Sequence, residues 1–523
     1  MITNVLVVLL LLHFLTAASF MGKSTRTNTS LLRATNVFAL GMAACVIAAW
    51  GLWATAKLTA STWFEMNFLR LSVVSLISFM SFILLRYSIH YLAGEKHRNR
   101  YFRYLLITLL SVTVVVLSNH LALFWLAWVG ISLSLHRLLL FYPNRPRAAL
   151  AAHKKFILAR LAESALLGAF ICLYLSTGML QLSDISAYYS AHTGALSTLE
   201  QVAACLLALV ALIKCAQLPV HGWLMQVVES PTPVSALLHA GIINLGGFLV
   251  MTFGPLILRV DAAKWLLLIV AGITTLLAAL IMTTRISLKV RLAWSTCAQM
   301  GLMLVECALG LYELALLHLL AHSAYKAHAF LNASQWIYED LTRRMSNQTE
   351  PPLWQWLVAL CGALALTYAG AVVIAYQGPV SIWALMVGAL TVWLALRFEA
   401  QVASSYFRII AIAVLLLAAY SLQKWVFHSV IVLPSELRAQ ALSPADLWLL
   451  GIVITLIVVN YLLYYRAQLP SIQKLSRVLY AGLYLDEWMT RLTIFIWPVH
   501  LPRTKKQKHL AMHRYAAGHE EQK

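Results

Sequence analysis

Residues 212–241 read LIKCAQLPVHGWLMQVVESPTPVSALLHAG, and this segment is the most informative part of the sequence about the fold. It places Lys214 in an apolar run and then places three prolines and one glycine between positions 219 and 233. Each proline lacks an amide donor and disfavours helical geometry in the residue before it. Irregular backbone between two apolar runs is tolerated at membrane depth only when it is buried in protein or lines a wet cavity. The stretch therefore predicts a membrane helix that breaks near Pro219.

The composition extends this interpretation to the whole chain. Of 523 residues, 61% are hydrophobic and 11% are charged, whereas a soluble domain has about half apolar and about a quarter charged residues. A spanning helix needs roughly 20 apolar residues to cross a hydrocarbon core of about 30 Å. The first apolar run, at residues 1–20, lacks the basic start of a secretory signal, so we interpret it as the first span.

We predict an all-α fold class, a polytopic membrane helix bundle of about fifteen spans that includes broken helices. An odd number of spans places the two termini on opposite sides of the membrane. The predicted spans are 3–20, 34–56, 68–92, 104–118, 120–141, 156–177, 198–217, 233–256, 264–283, 291–310, 312–333, 353–376, 380–397, 406–427 and 445–465.

The net charge of +20 is a topology signal rather than a nucleic-acid footprint. Of the 39 Lys and Arg residues, 31 fall in alternate loops of the predicted bundle and five in the intervening loops. This asymmetry is the one that the positive-inside rule predicts. We therefore expect an external N-terminus, a cytoplasmic C-terminus and no nucleic-acid partner.

The sequence HLLAHSAYK, residues 318–326, predicts a ladder of titratable side chains. His318, His322 and Lys326 are spaced i, i+4 and i+8, which places them on one face of a helix. Successive turns are about 5.4 Å apart, a gap that one or two waters bridge. A lysine at the centre of a span costs about 2.5–3.5 kcal/mol on an insertion scale, so such residues usually mark an ion path. We predict a proton relay here.

Three further residues join the candidates, with alternatives left open. Glu163, His239 and Glu306 also lie in apolar segments. Glu163 follows Arg160 by three residues, so a simple ion pair at a helix entrance is an alternative to a relay role. Glu306 is alternatively a lone buried acid bonded to backbone, and a lone membrane histidine is often only a helix contact. We expect the histidines at loop edges to be solvated or interfacial: His136, His153 and His221.

No cofactor is expected in this chain. The seven cysteines lie in apolar segments without a CxxC spacing, which is typical of small buried residues rather than of cluster or disulfide sites. His318 and His322 have the spacing of a zinc-binding pair, but no third ligand is evident. We see no soluble segment large enough for an enzyme active site.

The C-terminal region predicts a peripheral element. Residues 478–502 mix aromatic and aliphatic side chains with a few charges, which is typical of an interfacial amphipathic helix or of a docking surface for a partner. We predict four regions: N-terminal spans at 1–103, a core at 104–397, C-terminal spans at 398–477, and this segment with a basic tail at 478–523.

Residues 212–241 resemble the core of the antiporter-like subunits of proton-pumping NADH:quinone oxidoreductase and of Mrp antiporters. RLAWSTCAQMGLM at 291–303 and LLHLLAHSAYKAHAFL at 316–331 match the same family, and the likeness covers roughly 60–335. The resemblance implies an antiporter-like fold with Lys214 as the central protonatable lysine. It implies that the half-channels are connected by His239, His318, His322 and Lys326, with Glu163 as the acidic partner.

Two departures from this family are informative. The family has a glutamate after a tryptophan, where AWVGISLSLH in this chain has Val129. The family's exit lysine has no counterpart in residues 367–383. Both differences count against a subunit of a respiratory or Mrp-type complex, which stays the principal alternative.

The segment LYAGLYLDEWMTRLTIFIWPVHLP, residues 479–502, resembles the tail of the DabB family, the membrane subunits of a two-component inorganic carbon uptake complex. That resemblance implies a bacterial inner-membrane subunit, not an enzyme, that conducts H⁺ or Na⁺. It implies a cytoplasmic, carbonic-anhydrase-like partner, DabA, which would carry the zinc. A third possibility is a membrane assembly subunit whose relay residues are vestigial.

Overall fold

The structure of the chain is a computed structural model. It describes residues 2–23, 27–142, 145–192, 194–333, 352–373, 378–397 and 440–498, with scattered positions between 411 and 426. The predicted span at 406–427 falls largely outside the described residues, and the basic tail at 503–523 falls wholly outside them.

The described residues form a helical bundle, which confirms the all-α prediction. The N-terminal helices are α1 (Ile2–Met21), α2 (Asn28–Ala54), α3 (Phe68–Tyr91), α4 (Arg98–Leu117), α5 (Leu121–Leu139), α6 (Pro146–Thr177) and α7 (Leu182–Ala191). The central helices are α8 (Thr198–Lys214), α9 (Gly222–Gln226), α10 (Thr232–Ala240), α11 (Leu245–Thr252), α12 (Gly254–Arg259), α13 (Asp261–Thr283), α14 (Leu288–Ala308) and α15 (Tyr312–Leu331). The C-terminal helices are α16 (Leu353–Val373), α17 (Val380–Arg397), α18 (Pro444–Tyr465), α19 (Pro470–Tyr480) and α20 (Leu485–Ile496).

The chain is a multi-pass membrane protein. Within the described residues, ten helices are long and apolar enough to cross a membrane. The total of about fifteen spans stays a prediction, because some segments are short or broken and part of the chain lies outside the described residues.

Helix α6 begins ten residues earlier than the predicted span at 156–177. Pro146 occupies its first turn, where the missing amide has no helical partner to lose. The helix ends at Gly178, whose φ of 69° is a left-handed cap that glycine adopts without strain. Its 32 residues span about 48 Å at about 1.5 Å per residue. The helix therefore extends beyond the membrane core and carries two lysines of the predicted basic loop, Lys154 and Lys155, into its buried face.

The predicted break after Lys214 is confirmed. Helix α8 begins with a capping box formed by Ser197 and Glu200 and ends at Lys214. Ala216 then has a φ of 51°, and α9 begins only at Gly222. The predicted span at 233–256 corresponds to Thr232–Thr252, which is long and apolar enough to cross a membrane, and a 3-10 turn separates α10 from α11 within it.

These broken helices lie at the centre of the bundle. Helix α11 packs against α8 and also against α14 and α15, while α10 packs against α15 and α3. Helix α6 packs along α8 and α5. The interruptions in α8 and α10 are therefore surrounded by protein, as irregular backbone in a membrane requires.

The C-terminal segment forms two short helices rather than one. Between α19 and α20 the chain bends at Leu483 and Tyr484, which both have positive φ. Helix α20 turns back onto the bundle and packs against α6 and α9. This bend interrupts the predicted amphipathic helix within residues 478–502, and its alternative, a docking surface for a partner, stays a prediction.

Candidate functional site

Most of the candidate residues are buried inside the helical bundle. Five are buried, with exposed fractions of at most 5%: Glu163, His239, Glu306, His322 and Lys326. Lys214 and His318 are partly buried. Ionisable groups placed inside a membrane bundle in this way are expensive to desolvate and usually serve ion movement.

The first cluster lies at the break after α8. The Lys214 ammonium lies 4.6 Å from the centre of the Trp128 ring, over its face, an arrangement that stabilises a cation. On α6, Arg160 Nη2 lies 2.6 Å from Glu163 Oε2. The Glu163 carboxylate also accepts a short hydrogen bond from the Ser132 hydroxyl and interacts electrostatically with Lys214.

A further lysine belongs to this cluster. Lys155 is 5% exposed, and its Nζ donates to the Ser132 carbonyl oxygen at 3.1 Å. Sequence analysis missed it because it was assigned to the basic loop between spans. Pro146 was the available signal, since a proline at the first turn of a helix places Lys155 inside that helix.

The second cluster joins α14 to α15. Glu306 Oε2 lies 3.0 Å from His318 Nδ1. The rings of His318 and His322 meet edge to face, with their centres 6.0 Å apart. Glu306 is therefore the acidic partner of the predicted ladder, and the alternative of a lone acid bonded to backbone was wrong.

Lys326 and His239 continue this cluster. Lys326 is fully buried and its Nζ donates to the carbonyl oxygen of Leu292 at 3.1 Å. The His239 ring stacks on Phe330, with their centres 4.4 Å apart. Both His239 and His322 lie close enough to Lys326 to interact with it electrostatically.

Several buried polar atoms near these clusters have no hydrogen-bond partner within the described residues. They are both ring nitrogens of His239, Nε2 of His322, Oδ1 of Asn244 and Oε1 of Gln217. Buried polar atoms in proteins nearly always have a partner, and ordered water supplies it where the protein does not. Internal water molecules at these positions would supply the missing hydrogen-bond partners.

Two polar residues lie between the clusters. Asn244, just before α11, donates to the Ser323 hydroxyl of α15 at 2.6 Å. Gln217, in the break after α8, is fully buried. Helix α11 packs against α8, which carries Lys214, and against α14 and α15, which carry Glu306 and His318, and Asn244 lies at its start.

The expectations for the other histidines were partly wrong. His153 and His221 are 8% and 1% exposed, so they are not solvated loop residues. His153 stacks on Trp497, with ring centres 3.8 Å apart, and His221 packs against Trp294. Trp497, just after α20, covers His153, and Trp294 of α14 covers His221, an arrangement that the sequence around each histidine does not reveal.

In the described part of the chain, no group of three or more His, Cys, Asp or Glu side chains is arranged to hold a metal ion. His318 and His322 have the spacing of a zinc-binding pair, and the ring of His318 is hydrogen-bonded to the carboxylate of Glu306. The expectation that this chain carries no cofactor stays a prediction.

Residues 118–374 match the model of the NADH:quinone oxidoreductase/Mrp antiporter transmembrane family. A protein of Hydrogenovibrio crunogenus named "Probable inorganic carbon transporter subunit DabB" is 47% identical over 94% of this chain and 95% of that protein. Subunit DabB2 of Halothiobacillus neapolitanus is 37% identical over 85% of this chain and 82% of its own. NADH-quinone oxidoreductase subunit L of Escherichia coli is 32% identical, over 50% of this chain and 43% of that subunit.

Solved structures share the fold. A chain of the Mrp complex from Dietzia sp. DQ12-45-1b superposes with a TM-score of 0.60 at 19% identity, covering 99% of this chain and 62% of that one. A chain of an archaeal membrane-bound sulfane sulfur reductase superposes with a TM-score of 0.56 at 18% identity, covering 92% and 99%. With a relative 47% identical along nearly its whole length, the chain belongs to the DabB family of transporter subunits, within the antiporter-like membrane proteins.

Proposed function

We propose that this chain is the cation-conducting membrane subunit of an energy-coupled inorganic carbon uptake complex, and that the cation is H⁺. The observation that carries the proposal is the burial of two clusters of acid and base groups inside the bundle, the first of them at the break after α8. Lys214, Glu163 and Arg160 form one cluster, and Glu306 and His318 belong to the other. Such groups exchange protons, whereas Na⁺ requires a cage of oxygen ligands.

The first step of the proposed path is a proton exchange at Lys214. The ammonium lies over Trp128, and the carboxylate of Glu163 offsets its charge at longer range. A lysine with no directly bonded carboxylate, in a low dielectric, exchanges between charged and neutral forms more readily than a solvated lysine. Lys214 is therefore the proposed central carrier.

The second step crosses α11 through water. Gln217, Asn244 and His239 each present a buried polar atom without a partner among the described residues. Waters bonded to these atoms would form a file between the clusters, because each water can accept and donate hydrogen bonds. The proposed path thus depends on hydration rather than on direct contact.

The third step runs along α15. The proton would pass from Lys326 and His239 to His322 and then to the His318–Glu306 pair. Histidine suits this task because it exchanges protons near neutral pH. The ring separation of 6.0 Å between His318 and His322 is about one helical turn, a distance that a water can bridge.

The partner and the reaction belong to the same proposal. Relatives named as inorganic carbon transporter subunits support a partner of the DabA type, carbonic-anhydrase-like and cytoplasmic, which would carry the zinc and hydrate CO₂ to bicarbonate. Proton flow through this chain would supply the energy. Helix α20 presents Trp488, Leu492 and Phe495 to the outside at a helical spacing typical of groove-binding anchors. We propose this face as the docking surface.

The complex would reside in a bacterial inner membrane, with the basic loops and C-terminus in the cytoplasm. A respiratory or Mrp-type role is the less favoured alternative. The oxidoreductase relative aligns over half of this chain, and Val129 and residues 367–383 lack the glutamate and lysine that such subunits have in the resembling motifs.

The test is inorganic carbon uptake in a carbonic-anhydrase-deficient bacterial host that expresses the chain with its partner. We expect uptake to support growth in air and an uncoupler to abolish it. Lys214→Ala should abolish uptake, whereas the control Lys264→Gln, at an exposed ion pair with Asp261, should not. Uptake that survives both the uncoupler and Lys214→Ala would support the vestigial assembly role instead.

A further inference from the structure

Lys155 is a buried cation that the proposed path does not use. It lies on α6 one residue after Lys154, and the two side chains have different surroundings. Lys154 Nζ lies 2.8 Å from Asp486 Oδ1 of α20. Lys155 instead donates to the Ser132 carbonyl oxygen of α5 at 3.1 Å, and no carboxylate lies within ion-pair distance of it in the part of the chain that the structure describes.

Ser132 connects Lys155 to the Lys214 cluster. Its carbonyl oxygen accepts from Lys155, and its hydroxyl donates to Glu163 while accepting from Arg160. Lys155 and Glu163 are eight residues apart on one helix, so they lie on the same face about 12 Å apart along the axis. Ser132 thus forms hydrogen bonds with both the buried amine of Lys155 and the buried carboxylate of Glu163.

The charges of this cluster do not balance when every base is protonated. Arg160 keeps its proton at any physiological pH and pairs with Glu163. No second carboxylate among the described residues around them is then left to neutralise Lys155 or Lys214. The groups that face Lys155 are His136 of α5, Arg160 and Glu163 of its own helix and Lys214 of α8. Three cations around one anion in a low dielectric repel one another, which favours loss of a proton from one lysine.

We propose that Lys155 is a further proton-carrying residue, placed between the α20 side of the bundle and Lys214. It takes up one proton as an ammonium and returns to the neutral amine when that proton passes through water to Lys214, directly or by way of the Ser132 hydroxyl and the Glu163 carboxylate. Only one of the two lysines carries the extra charge at a time. The inference rests on the proposed function, because it adds a carrier to the same path.

Three substitutions separate a carrier from a structural lysine. Lys155→Met removes both donor and charge, Lys155→Gln keeps a donor for the Ser132 carbonyl, and Lys155→Arg keeps donor and charge but cannot release its proton. A carrier fails in all three variants. If Lys155 only bonds to Ser132, the Gln and Arg variants should keep their function. If Lys155 only supplies a positive charge, the Arg variant should keep its function.

The experiment measures uncoupler-sensitive inorganic carbon uptake in the deficient host, per assembled complex in the membrane. We expect each variant, in particular Lys155→Gln, to lose at least about tenfold in rate while still assembling with the partner, and Lys264→Gln to match the wild type. Near wild-type uptake by Lys155→Gln or Lys155→Arg would overturn the inference. Failure of all three to assemble would also overturn it in favour of a structural role.

The outcome for Lys155 is distinguishable from failure of the proposed function. If Lys214→Ala and the uncoupler abolish uptake and the Lys155 variants retain it, the inference alone is wrong. If uptake persists in Lys214→Ala with the uncoupler present, the proton-driven mechanism itself is wrong, and the role of Lys155 falls with it.

Discussion

Glu306 Oε2 of α14 lies 3.0 Å from His318 Nδ1 of α15, so an acid and a base from two neighbouring helices form one pair inside the bundle. The side chains of Glu306 and His318 are only 6% and 12% exposed. A carboxylate at this distance stabilises the charged imidazolium and orients its ring. The pair therefore gives the α15 ladder a terminal group that can hold a proton.

The first prediction concerns this pair. Glu306→Gln keeps the size of the side chain but removes its negative charge, so protonated His318 loses its counter-ion. We expect uncoupler-sensitive carbon uptake to fall at least about tenfold, with normal assembly. Uptake measurements on membranes with matched amounts of complex check this. Unchanged uptake would mean that the pair only joins the two helices.

The second prediction concerns the packing of the C-terminal helix α20 against α6 and α9. A Cβ added to Gly222 would overlap the carboxylate of Asp486, which bonds to Lys154 and Gln226. Gly222→Ala should therefore push α20 away from α6 and α9. We expect trypsin to cleave at Arg491 at least about tenfold faster in this variant.

Gly451→Ala is the matched control, because nothing lies within 4 Å of a Cβ added there. Its digestion should follow the wild type. Equal digestion rates for Gly222→Ala and the control would show that the contact between Gly222 and Asp486 does not fix the position of α20.

The third prediction concerns the packing of α14 on α13. A Cβ at Gly301 would lie 2.7 Å from the carbonyl oxygen of Ala271 and 2.9 Å from Gln217 Oε1. Overpacking of this kind costs about 1–3 kcal/mol. We expect Gly301→Ala to lower the apparent melting temperature of the detergent-solubilised complex. Gly51→Ala is the control, because nothing lies within 4 Å of a Cβ added at this exposed helical position, and its melting temperature should not fall. A melting temperature of Gly301→Ala equal to that of the wild type would contradict the close packing of α14 on α13.

The fourth prediction concerns pH. His221 lies in the connection between α8 and α9, and burial lowers its pKa to about 4, below the ordinary value of about 6.5. Between these values the unfolded chain binds more protons at this site than the folded chain, so stability is lost as the pH falls through that window. We expect the loss in melting temperature from pH 7 to pH 5 to be smaller in His221→Gln. An identical loss in the variant would show that His221 does not contribute.

The sequence predicted the local features and missed the contacts between helices. Pro219 predicted the break after Lys214 because a proline acts on its own backbone. The spacing of 318, 322 and 326 predicted the ladder because it depends only on the geometry of one helix. The partnership of Glu306 with His318 could not be predicted in this way, since it depends on how α14 and α15 turn toward each other.

Lys155 shows the same limit at a helix boundary. A basic residue near the end of an apolar run is usually in a loop, and Lys155 was assigned accordingly. Pro146 starts α6 early, and the fold of α20 back onto α6 then buries the neighbouring Lys154. Neither event has a periodic signal: the start at Pro146 is set by one residue, and the contact of α20 with α6 joins Lys154 to Asp486, which are 332 positions apart.

Proton conduction by this chain can be measured as proton flux through the purified complex. The complex of this chain and its partner is reconstituted in liposomes with a trapped pH-sensitive dye, and a pH gradient is imposed in the presence of CO₂. If protons pass through Lys214, the flux should dissipate the gradient in the wild type and be lost in Lys214→Met. The same flux in both, or no flux through a wild-type complex that still takes up inorganic carbon in cells, would contradict it.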